Sequence, residues 1–147
     1  MIFPCKAQET GLPVPRFVSL RFNQVNLRTG PGIRYPVEWM YVKRDMPVEI
    51  VSEFEHWRKI KDLDGNEGWV HQHMLSGRRN ATAKKDGVLL RAPSRESLPL
   101  ARFEAGVTGK ILSCPEKSPL CRIDFAGYQG WTDRKNLWGV YPDEIIE

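Results

Sequence analysis

No run of about 18 apolar residues occurs in the 147-residue sequence, so no helix of membrane-spanning length is written in it. Long helical periodicity is missing too. Histidine and cysteine are scarce, three of each. His-x-x-Glu-His, Cys-x-x-Cys, Gly-x-Ser-x-Gly and a phosphate-cradling glycine loop are all absent, which removes the motif-bearing zinc, hydrolase and nucleotide chemistries. His71 and His73 share a face if they lie on a strand, but two ligands with His56 elsewhere do not make a zinc site. No catalytic residue, metal or cofactor is expected. The first ten residues lack a basic n-region and an apolar h-region, so they are not a complete export signal. Two readings stand for residues 1–7: the remnant of such a signal, ending Cys5-Lys6-Ala7, or a loose terminus.

What is present is ordinary for a folded chain: 41% hydrophobic and 27% charged residues, with 12 Gly and 11 Pro. The length suits one domain or two of about 60 residues. The net charge of +4 is uneven, because residues 76–102 carry seven basic side chains against two acidic ones. Such a segment attracts anionic polymers, nucleic acid among them, or is a solvated linker.

Short alternating runs cut by Gly, Pro and Asp read as strands: 37–41, 47–51, 57–61 and the Gly68-Trp69-Val70 stretch. Asp64-Gly65-Asn66 between two of them signals a hairpin. Trp69 and Trp131 are read as core. The pattern then repeats. Val25-Asn26-Leu27-Arg28 returns as Val88-Leu89-Leu90-Arg91, 63 residues on, and Gly68-Trp69-Val70 as Gly130-Trp131-Thr132, 62 residues on. Landmarks kept in order at nearly constant spacing mark a tandem duplication. The expected fold is all-β: two small barrels at 23–76 and 86–141, a tether over 1–22, a linker over 77–85 and a tail over 142–147.

The landmark order of the first copy, Leu27-Arg28-Thr29-Gly30-Pro31, then Trp57, then Gly68-Trp69-Val70, resembles the bacterial SH3-like (SH3b) domain family. The flanking Leu12-Pro13-Val14-Pro15 and Leu137-Trp138-Gly139 resemble a proteobacterial type of exported protein with two copies. The resemblance implies SH3-like barrels, a periplasmic or secreted setting, and a binding role toward cell-wall peptidoglycan, its stem peptide or an envelope protein. Relatives often carry a Cys-His amidase beside such units. Here all three histidines precede Cys114 and the repeats fill most of the chain, so no enzyme is expected.

Tyr35, Trp39, Tyr41 and Trp57 are the candidate ligand-binding residues, an aromatic shelf for sugar faces or an extended peptide. Trp39 packed against the second domain is the competing reading. Glu53 and Asp62, with Glu55, form a candidate acidic rim for the amine of a diamino acid, or an ordinary solvated hairpin end. Arg28 and Arg91, placed alike in the two copies, either meet a ligand carboxylate or fold back onto loop carbonyls. A Pro-rich peptide and nucleic acid remain the other ligand classes. Cys114 and Cys121 flank six residues between two expected strands. A disulfide there closes a loop worth roughly 2.5 kcal/mol and agrees with an oxidising compartment. Cys5 is left over.

Overall fold

The computed structural model describes residues 10–147. The expectations for residues 1–7 and Cys5 lie outside the described residues. The chain forms two compact units, one ending at Gly77 and the other starting at Arg78.

In the first unit the strands are β1 (Arg16–Leu20), β2 (Val25–Arg28), β3 (Val37–Tyr41), β4 (Pro47–Phe54), β5 (Trp57–Lys61), β6 (Glu67–His71) and β7 (Leu75–Ser76), with a 3-10 turn at Gln72–Met74 before β7. They make one antiparallel sheet ordered β3-β2-β6-β5-β4-β1-β7. The alternation of buried and half-buried residues along β5 and β6 explains the sheet's two faces. Arg58 and Ile60 point inward with Gly68 and Val70, while Trp57, Lys59, Trp69 and His71 lie on the outer face. Leu20, Val25, Leu27, Tyr41, Val48, Ile50, Ile60, Val70 and Leu75 form a single core cluster to which every strand contributes. A flat sheet of seven strands is about 29 Å wide, so residues from all of them meet only if the sheet curls on itself.

The second unit contains β8 (Asn80–Ala83), β9 (Gly87–Leu90), β10 (Pro99–Phe103), β11 (Thr108–Ser113), β12 (Leu120–Phe125), β13 (Tyr128–Asp133) and β14 (Leu137–Trp138), with a 3-10 turn at Arg134–Asn136. Its order, β10-β9-β13-β12-β11-β8-β14, is that of the first sheet strand for strand. The predicted disulfide Cys114–Cys121 is present.

Four expectations are corrected. The tether over 1–22 contains β1, which pairs with both β4 and β7. The linker over 77–85 contains β8, its equivalent, which pairs with β11 and β14. The tail over 142–147 is tied down, since Ile146 exchanges two backbone hydrogen bonds with Cys114 and Glu144 pairs with Arg79. Trp69 and Trp131 are half-buried on the outer faces rather than in the cores. The interior positions are taken by the neighbouring glycines: a Cβ on Gly68 would lie 2.6 Å from the Leu27 side chain, so Leu27 already fills that space.

The copies also align differently from the sequence reading. Arg28 pairs with Trp69, whereas Leu90, not Arg91, pairs with Trp131. Thr29 bonds Pro36 as Arg91 bonds Leu98. Arg91 therefore matches Thr29, and Arg28 has no arginine counterpart. The run Leu89-Leu90-Arg91 offered two registers one residue apart. The buried Leu89 selects the one that matches it to Leu27, because a one-residue slip would turn it to the other face.

Candidate functional site

The six proposed ligand residues do not form one shelf. Tyr41 is 6% exposed and donates its hydroxyl proton to Asp62 Oδ2 at 2.8 Å. Burial, then the Asp62 hydrogen bond and charge, push the Tyr41 hydroxyl pKa far up. Asp62 is itself buried and organises the β5–β6 turn, accepting from the backbone N–H groups of Asp64 and Asn66 and from the Asn66 amide. Gly65 takes a positive φ of 89° in that turn, as the Asp-Gly signal predicted. Both residues are structural, and neither is open to a ligand.

Glu53 is also engaged. Its carboxylate meets Arg16 at 2.8 Å and Arg58 at 3.6 Å, and accepts from the Thr10 backbone and hydroxyl. Burial pushes its pKa up, but the bonds from Arg16 and Thr10 and the Arg58 charge outweigh this and hold it below the usual carboxylate range. The acidic rim is thus two structural carboxylates plus the exposed Glu55. Arg28 folds back, its Nη1 donating to the carbonyls of Ile33 and Tyr35 at 3.1 and 2.9 Å. Those bonds hold the Tyr35 loop, and the Tyr35 ring lies over Gly30, where an added Cβ would collide with it at 2.5 Å.

Trp57 and Trp39 remain. Trp39 is 60% exposed on β3, at the end of the sheet. Trp57 is half-buried on the outer face of β5, opposite His71. There the structure assembles what sequence reasoning left scattered: all three histidines. The His71 ring meets Trp57 edge-on at 5.3 Å and stacks with His73 at 4.9 Å and His56 at 6.0 Å. The register of the β5–β6 hairpin, turned at Asp64-Gly65, places Trp57 opposite His71.

The hydrogen bonds around this cluster assign the protons. Arg58, 2% exposed, donates through Nη2 to Gln72 Oε1 at 2.9 Å, and through Nη1 to the Glu55 and Trp57 carbonyls at 2.7 and 2.9 Å. With its oxygen used, Gln72 donates its amide to His56 Nδ1 at 3.1 Å. His71 Nδ1 accepts the backbone N–H of His73 at 3.2 Å and so caps the 3-10 turn. His71 is therefore neutral with its proton on Nε2. Burial, then the charges of His73, His56 and Arg58, lower the His71 pKa. Beside the cluster lies a groove of about 370 Å³ lined in part by Leu12, Arg16, Arg58, Gln72 and His73. Chemically the site offers an aromatic edge and N–H donors, suited to carbonyl or hydroxyl oxygens. Among the described residues no group of three or more His, Cys, Asp or Glu is placed to hold a metal ion.

The family model for the bacterial SH3 domain matches residues 22–77. That stretch of the chain is a bacterial SH3 domain. All of the aromatic and histidine side chains just described belong to it. Two solved structures similar to the chain are NlpC1 and NlpC2 from Trichomonas vaginalis, 15% and 16% identical, each with a TM-score of 0.39. They cover 93% and 87% of this chain and 50% and 49% of their own. The chain thus spans about half the length of those structures. No curated protein matches it.

Matched strand for strand, three of the proposed aromatic ligand residues have no aromatic counterpart in the second unit. Trp39, paired with Leu27, becomes Ala101, paired with Leu89. Trp57, opposite His71, becomes Leu120, opposite Asp133. Tyr35 becomes Ser97, which makes the same backbone bond. The buried Tyr41 stays aromatic as Phe103. The basic residues of 78–102 are partly spent inside the second unit, since Arg79 pairs with Glu144 and Arg95 with Asp133.

Proposed function

We propose that the chain is a non-catalytic binding protein of the cell envelope and that its SH3 domain holds peptidoglycan, through stem peptide or glycan, on the Trp57 face. The observation that carries this reading is the contrast between the copies. Tyr35, Trp39 and Trp57 give way to Ser97, Ala101 and Leu120 in the second unit, whereas the buried Tyr41 stays aromatic as Phe103 and the outer-face Trp69 as Trp131. A partly exposed aromatic that the other copy of the fold does without is available to a ligand. The Nε2–H donors of His56 and His71 are the polar partners for peptide carbonyls or sugar hydroxyls, in place of the carboxylate rim expected from sequence.

Two further features support the setting. The Cys114–Cys121 disulfide suits an oxidising compartment, and no helix among the described residues is long and apolar enough to cross a membrane. With Cys114 and Cys121 joined, neither is a thiolate for amidase chemistry. Nucleic acid is the weaker reading, because the basic segment 78–102 belongs to the second unit and the proposed aromatics to the first.

Co-sedimentation with purified sacculi tests the proposal. The intact chain pellets with the wall, with little change between 50 and about 200 mM salt. Trp57→Leu, the residue found at the matching place in the second unit, lowers the bound fraction severalfold. No pelleting above background, or a steep loss with salt, overturns it.

A further inference from the structure

We propose that the open side of β3 is a docking edge for an extended segment of a partner protein, apolar in its middle and carrying carboxylates at its ends. This is independent of the wall reading, which rests on Trp57.

Among the described residues β3 pairs only with β2 and ends its sheet. Unpaired edges invite another strand, and folded proteins ordinarily blunt them with charge or proline. β10, at the same place in the second unit, is blunted that way. Val37, Trp39 and Met40 of β3 correspond in register to Pro99, Ala101 and Arg102 of β10. One residue beyond, Val42 corresponds to Glu104, and in the preceding loop Ile33 corresponds to Arg95. On the β3 side these five residues are exposed, Ile33 by 81% and Val42 by 68%. One fold thus carries the same edge twice, protected in one copy and left apolar in the other.

Charge selects the occupant. Arg34 precedes the apolar stretch, Lys43 and Arg44 follow it, and Glu38 is the only acidic residue within it. A second copy of β3 laid antiparallel about Trp39 would bring Arg34 opposite Arg44, and like charges facing each other across strands repel. A segment with carboxylates at both ends meets those bases instead. The five residues of β3 span about 17 Å, so the docked stretch is about five residues long.

The test uses the full chain and two acetylated, amidated probes, Glu-Val-Thr-Val-Thr-Val-Glu and the same peptide with Lys at both ends, followed by amide NMR. The Glu-ended peptide shifts the β3 amides, and the Lys-ended peptide binds at least about tenfold more weakly. V37P/M40R installs the residues that β10 already carries. It removes binding while the amides of β4, β5 and β6 keep their positions. Trp39→Ala, which leaves the backbone intact, weakens binding severalfold. Shifts located away from β3, no shifts at all, equal affinity for the two peptides, or unchanged binding by V37P/M40R overturns the proposal. So does a concentration-dependent dimer that protects β3, since the occupant would then be a second copy. Sacculus binding can fail while this experiment succeeds, and the reverse.

Discussion

Across the hairpin that closes each unit, the same pair of positions carries different chemistry. In the SH3 domain Glu53 on β4 faces Arg58 on β5, and the two form a buried ion pair. In the second unit the matching strands carry Ser113 opposite Arg122, and one step further Cys114 and Cys121 are joined as a disulfide. The exchange leaves the second hairpin without a guanidinium at that place, and the structure supplies one from elsewhere. Arg134 opens the second 3-10 turn as Gln72 opens the first, and it is 6% exposed. It donates to the carbonyls of Pro115, Ser118, Tyr141 and Glu144 at 2.7–3.2 Å. The constant requirement is a buried donor for the hairpin carbonyls. Which strand or turn provides it is free to vary, provided the cross-strand pair changes with it.

Removing Arg58 from the SH3 domain has the largest expected effect. Arg58→Met removes one of the two guanidinium partners of Glu53, leaving Arg16, and strips two carbonyls and Gln72 of their buried donor. A cost of about 3–5 kcal/mol is expected, read as earlier denaturant unfolding of residues 10–77 by hydrogen exchange, with 78–147 unchanged. Next is Cys114→Ala with Cys121→Ala. It costs the second unit roughly 2.5 kcal/mol and leaves the first unaffected. Equal losses in both units would break the comparison.

A transplant sharpens it. E53C/R58C forms a disulfide in the first unit, detected by mass spectrometry, but remains destabilised because Gln72 and the hairpin carbonyls have lost their donor. Adding Q72R, the counterpart of Arg134, recovers about 1.5 kcal/mol. If the triple variant is no more stable than the double, the donor argument fails.

The smallest effect is pH-dependent. The His71 pKa is lowered in the folded state, so the unfolded chain binds the proton first. Stability of the first unit is then complete above about 6.5 and declines as pH falls below it. His71→Asn keeps a capping side chain and removes this step. Glu53, also lowered, adds a second loss of the same sign below the ordinary carboxylate range. A chemical-denaturation series against pH separates the two. A first unit that gains stability between pH 7 and 5 contradicts the assignment of a neutral His71.

Much of the fold could be read from sequence because Gly, Asp-Gly and paired large apolar residues punctuate the strands. β1 and β8 escaped for local reasons. Pro13 and Pro15 just before β1 read as a tether, and Asn80-Ala81-Thr82-Ala83 contributes only two small alanines to a core. The site was less legible. Trp39 and Tyr41 stand two residues apart on one strand, yet one is exposed and the other buried, because β3 enters the core only toward its end. Asp62 looked like a rim residue until its turn was seen to close around it. The histidine cluster depended on a hairpin register that places His71 opposite Trp57, and composition carries no trace of that pairing.

Titration of the isotope-labelled full chain with soluble muropeptides is the most direct test that the ligand surface belongs to one copy. The account predicts amide shifts at His56, Trp57, His71 and Gln72, with 78–147 silent. Shifts confined to 78–147, or none in either unit, would contradict it.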